Sequence, residues 1–99
     1  MSGAADMVTE LTVQLLKPVE HAGEIYAELL LSEPTAGQMI EAEKAGAGLA
    51  SLVKLISMVA AIPHGAALKI GRRDLWVCER FFGSFDQLPQ STPDSGGES

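Results

Sequence analysis

Residues 29–40 read LLLSEPTAGQMI, and across this stretch an extended pattern gives way to a helical one. Thr35 followed three residues later by Gln38 has the spacing of a capping box, in which the hydroxyl takes the third helical N–H and the amide reaches back to the cap. Pro34 has no N–H for a strand ladder and biases Glu33 toward an extended conformation, so a strand must stop just before it. The junction divides the chain into a β half upstream and an α half downstream.

Working outward toward the N-terminus, Thr9, Leu11, Val13 and Leu15 alternate with Glu10, Thr12 and Gln14, the period-two signature of a half-buried strand from Val8 to Leu16. Leu16, Lys17 and Pro18 are expected to end it, and Val19–Glu24, with Gly23, supplies the turn. In the second run Ile25, Ala27, Leu29 and Leu31 form one face, and Tyr26, Glu28 and Leu30 the other. Two such runs across a short glycine-containing loop predict an antiparallel hairpin over 8–31. A lone hairpin is marginal in water, so helices must cover its apolar face, while its edges stay open to another chain.

Working outward toward the C-terminus, the Thr35 cap predicts a short helix over 36–45 with Met39 and Ile40 inward, stopped by Gly46 and Gly48. The next helix, 49–62, is apolar almost all round. Leu49, Leu52, Val53, Ile56, Val59 and Ala60 share one face, Leu55, Met58 and Ile62 form a second stripe, and Lys54 and Ser57 fill a narrow polar gap. That second stripe is either buried or a surface for self-association or a partner. Pro63, His64 and Gly65 end the helix, residues 66–70 connect, and 72–82 reads as a last helix. Leu75, Cys78 and Phe82 lie on its inner face, continued by Phe85. Trp76 falls on the opposite face between Arg72 and Arg80, where Arg80 can stack on the indole. With Arg73 these residues suit an interface anchor; the alternative is that Trp76 packs under the 66–70 connector. Residues 1–7 and 86–99 have nothing to bury and are expected to be disordered.

The expected fold is therefore α+β: an N-terminal hairpin packed against about three helices. At 99 residues there is room for one small core, and with 46% hydrophobic residues but only three Phe, one Tyr and one Trp it must rest on Leu, Ile and Val. No apolar run is long enough to span a bilayer and Asp6 replaces the basic region of a signal peptide, so a soluble intracellular protein is expected. A net charge of −6 argues against nucleic acid as the main partner. The charge is uneven, however: residues 69–80 hold Lys69, Arg72, Arg73 and Arg80 against Asp74 and Glu79, so the helical end is locally basic.

The groups that carry chemistry are sparse. The single cysteine, Cys78, excludes an internal disulfide and reads as a small buried apolar residue. His21 in the hairpin loop and His64 in a Pro-Gly turn read as solvated. Gly46 and Gly48 are followed by Leu49 rather than by a phosphate-loop Lys-Ser or Lys-Thr pair. Glu41 and Glu43, two apart on a helix, point to different sides. Neither an enzyme nor a cofactor or metal is expected.

The order of features, Leu-Lys-Pro-Val-Glu at 16–20, Gly23, Glu-Leu-Leu-Leu at 28–31, Glu33-Pro34-Thr35, then Ala42-Glu43, resembles the tail assembly chaperones of contractile-tailed phages and their prophages. The similarity spans about residues 8–85 and continues in the Leu-rich helix stopped by Pro63, Ile70, Asp74 and Phe82; Arg72, Arg73 and Trp76 depart from the usual pattern. The resemblance implies a non-virion protein of the host cytoplasm that binds the tape measure protein, and in some settings meets the tail tube protein, keeping the tape measure soluble while the tube polymerises. It also implies that a longer, frameshifted form can exist. No catalytic or metal residues come with it. On this reading Leu55, Met58, Ile62, Arg72, Arg73, Trp76 and Arg80 bind the partner, by helix-in-groove recognition. Two rivals start from the same residues. One is a small DNA-binding regulator with a helix-turn-helix whose recognition helix begins at Arg72 and Arg73. The other is a plain oligomerisation module.

Overall fold

The computed structural model describes residues 9–86. Of the ends expected to be disordered, 1–7 and 86–99, all but Asp86 lie outside them, as does the proposed strand start at Val8; Asp86 itself closes a 3-10 turn. The fold is α+β, as expected. An antiparallel pair, β1 (Glu10–His21) and β2 (Glu24–Ser32), is followed by α1 (Ala36–Glu43), α2 (Leu49–Ala60), a single turn α3 (His64–Ala67), α4 (Arg72–Gly83) and a 3-10 turn (Ser84–Asp86). β2 lies against α2, β1 lies against α4 and α3, and α1 packs on α2.

The Thr35 junction forms as read. Thr35 Oγ1 accepts the Gln38 N–H at 3.1 Å, and Gln38 Oε1 accepts the Thr35 N–H at 2.9 Å, giving the reciprocal capping box. A hydrogen bond from Glu33 N–H to the Thr9 carbonyl, at 3.0 Å, closes the hairpin at its open end just before Pro34.

The end of β1 is a correction. Pro18 does not stop the strand; β1 runs on to His21, and the turn shrinks to Ala22 and Gly23, both at positive φ (53° and 82°), as a tight hairpin turn requires. The proline is tolerated because it sits in a break of the ladder. Gln14 pairs with Glu28 and Val19 with Tyr26, so Leu15–Pro18 oppose Ala27 alone in a wide bulge. Bulges bend and twist a strand, and the faces beyond this one change accordingly. Val13, Leu15, Leu29 and Leu31 are buried as expected, but Ile25 and Ala27 are exposed, whereas Tyr26 packs half-buried against the core. Thr9, at the open end of the hairpin, is also exposed.

The core joins Val13, Leu29 and Leu31 of the hairpin to Ile56 of α2, Ala66 of α3, and Cys78, Phe81 and Phe82 of α4. Phe81 was not expected inside. It packs edge-on to Phe85, with ring centroids 5.2 Å apart, while Leu75 is only half-buried. Ser57, assigned to a polar gap, is buried and donates to the Lys54 carbonyl at 2.8 Å, which removes the cost of its hydroxyl in an apolar setting. Met39 and Ile40 are exposed rather than inward; α1 meets its neighbour through Ala42, a small residue that lets the helices approach closely. α2 ends at Ala60, with Ala61 left-handed (φ 58°) and Ile62 N–H bonded to the Ser57 carbonyl at 3.0 Å, before Pro63. His21 is not solvated in a loop. Its ring lies half-buried over Gly65, where a Cβ would come 2.5 Å from the ring's Cε1, and Lys69 Nζ donates to the Glu20 carbonyl at 2.9 Å, so the hairpin tip is tied to the α3 region.

Candidate binding groove

α4 begins after Gly71, so Arg72, Arg73 and Asp74 are its first three residues. Asp74 turns inward and is only 2% exposed. Its Oδ1 accepts the Leu16 N–H at 2.9 Å and its Oδ2 the Lys17 N–H at 3.1 Å. Those two donors lie in the bulge, and the next residue, Pro18, has no N–H. One carboxylate therefore satisfies the backbone donors of the widened strand, in charge-assisted bonds stronger than the ladder bonds they replace.

The bulge turns Leu16 outward, 70% exposed, onto one wall of a groove. Leu49, at the first residue of α2 and 61% exposed, lines it as well, together with Leu75, Trp76 and Val77 of α4. Arg72, Arg73 and Glu79 form its charged margin. The groove is open and has a volume of about 580 Å³. Trp76, 55% exposed, does not pack under the 66–70 connector; it stands between this groove and a second hollow of about 370 Å³ lined by Leu11, Arg80, Phe81 and Ser84. Arg80 stacks over the indole, its guanidinium carbon 4.9 Å from the ring centroid, as its spacing from Trp76 suggested.

The proposed binding residues thus fall into two groups. Arg72, Arg73, Trp76 and Arg80 lie together on the outer face of α4 around these two hollows. Leu55, Met58 and Ile62 are elsewhere: all three are half-buried, Leu55 and Ile62 pack against the core, and none lines the groove. Leu49 is corrected from core face to groove wall: at the first residue of α2 it is exposed and lines the depression. The sequence reading has Leu16 only at a strand end and Asp74 only in the family pattern, and assigns neither to the site. The one available signal was the pair Leu15-Leu16 directly before Lys-Pro, which breaks the alternation where a bulge would.

Other groups offer little chemistry. Cys78 is fully buried and its thiol is pushed up to about 11, by burial first and by the nearby Asp74 charge second, so it is protonated at neutral pH and packs as a small apolar side chain. Among the described residues, no three His, Cys, Asp or Glu side chains are grouped to hold a metal ion, and no helix is long and apolar enough to cross a membrane. Comparisons of the chain with protein-family models, curated proteins and solved structures give no match.

Proposed function

We propose that this chain is a tail assembly chaperone that binds the tape measure protein in the host cytoplasm and keeps it soluble while the tail tube forms, without entering the virion. The observation that supports the reading is the groove: of the exposed large apolar side chains, Leu16, Leu49 and Trp76 are gathered around one depression, beside arginines that form no ion pair among the described residues. Trp and Arg are the residues most enriched at binding hot spots, and a groove between a helix and a bulged strand suits a long helical client. The motif order 16–20 and 33–35 contributes the identity of that client.

The test is co-expression with the tape measure protein encoded in the same tail operon. The expected result is a soluble complex that Trp76→Glu combined with Leu16→Glu abolishes while the variant itself still folds. A folded wild-type chain that leaves the tape measure protein insoluble overturns the reading. A second reading, self-association, is favoured by the two-stranded sheet, whose outer edges lack strand partners among the described residues, and by the exposure of Ile25 and Leu30. Light scattering on the purified protein separates a monomer from a closed oligomer, and the two activities can coexist.

A further inference from the structure

We infer that the occupant of the Leu16–Leu49–Trp76 groove is an amphipathic α-helix whose apolar stripe is flanked by carboxylates. This chemical class deepens the chaperone reading and rests on it only for the identity of the client. Three observations carry it. First, the chain is acidic overall at −6, yet all three of its arginines, Arg72, Arg73 and Arg80, are on α4 around Trp76. The ion pair that forms among the described residues is Lys44–Glu41, far along the chain from these arginines, so no described carboxylate lies within ion-pair distance of them. Arginine presents a planar fork of donors matched to a carboxylate, and Arg72 and Arg73 bring two such forks to the margin of an apolar depression, while Arg80 lies over the indole. Second, the partner is not an added strand. The N–H groups of Leu16 and Lys17, the part of β1 beside the groove, are already taken by Asp74, and Pro18 has none, so an extended peptide finds no consecutive donors there. A helix satisfies its own backbone and needs only side-chain contacts. Third, the remaining acidity of the surface repels a broad polyanion such as duplex DNA or an anionic bilayer, whereas one helix meets a margin where Arg72 and Arg73 outnumber the single acid, Glu79.

Trp76 is the sole tryptophan, so its fluorescence reads the groove directly. The full chain is titrated with synthetic helical peptides of about 20 residues carrying a leucine stripe flanked by glutamates, the same stripe flanked by lysines, and a scrambled glutamate peptide. The glutamate-flanked peptide is expected to shift the emission to the blue saturably, with affinity at least about tenfold above the lysine-flanked one and falling with salt. Arg72→Glu with Arg73→Glu is expected to invert that preference. Both positions are exposed at a helix N-terminus, where acids are well tolerated, and a melting curve verifies the fold. Equal binding of the two peptides, retention of the preference in the double variant, no binding to any peptide, or tighter binding to duplex DNA or to phosphatidylserine vesicles would each overturn the inference. Soluble tape measure complex without a glutamate preference sinks this inference and leaves the chaperone reading standing. A glutamate preference without tape measure binding does the reverse.

Discussion

α4 carries two surfaces that follow opposite rules. Its inner side, with Cys78, Phe81 and Phe82, is sealed under the hairpin and joined to Ile56 of α2; its outer side, with Arg72, Arg73, Trp76 and Arg80, leaves an indole and three guanidinium groups in solvent. Three turns of helix thus separate what stabilises the domain from what is free to act outside it. Asp74 belongs to both: it is buried, yet its two hydrogen bonds shape the bulge that places Leu16 in the groove. If the division is real, substitutions on the two sides must move different measurements.

The largest loss of stability is expected at the sealed side. Ile56→Ala removes a side chain with no exposure and should lower the unfolding free energy by about 2–5 kcal/mol in urea titration, whereas Leu16→Ala should stay within about 0.5 kcal/mol. Comparable losses from both would show that the groove wall is core and collapse the comparison.

Asp74→Ala should come next, costing about 2 kcal/mol, because it orphans the Leu16 and Lys17 donors together. Asp74→Asn should cost less, since one carbonyl can still accept while the amide nitrogen faces the other donor. Hydrogen exchange at those two amides checks the cause: they should lose protection in Asp74→Ala more than the ladder amides of Val13 or Leu29 do. Uniform loss across β1 would mean that Asp74 supports the fold generally and not the bulge in particular.

Thr35→Ala is expected to cost about 1 kcal/mol by removing one half of the capping box. The loss should appear chiefly as faster exchange in α1, which packs on α2 with Met39 and Ile40 in solvent.

How far the sequence discloses this architecture depends on the range of the interaction concerned. The capping box is local, written in Thr35 and Gln38, and it was legible. So were the alternation in Val13–Leu15 and Leu29–Leu31 and the outward Trp76 with Arg80 one turn later. Pro18 misled, because a proline ends a strand unless its neighbours' N–H groups find another acceptor, and that acceptor lies 57 and 58 residues away at Asp74. Leu16, turned out by the same bulge, was hidden for the same reason. Met39, Ile40 and Leu49 show the other limit: periodicity says which residues share a face, while burial depends on whether another element reaches that face. Of the second stripe, Leu55 and Met58 lie on α2 but Ile62 falls beyond its end at Ala60, and only the packing reveals that all three are half-buried and separate from the groove.

The smallest change in stability is expected from Trp76→Ala, and it is the sharpest test of the division. An exposed indole contributes little packing, and its stacking with Arg80 is worth about 0.5 kcal/mol, so the melting temperature should barely move. Affinity for a helical client should nevertheless fall about 30-fold, the loss that follows from removing a hot-spot side chain worth about 2 kcal/mol. Isothermal titration with the glutamate-flanked helix, run beside thermal unfolding of the same sample, measures both quantities at once. A variant that loses stability and affinity in proportion would make Trp76 a structural residue. One that keeps both would move the binding surface off α4, to the open edges of the hairpin.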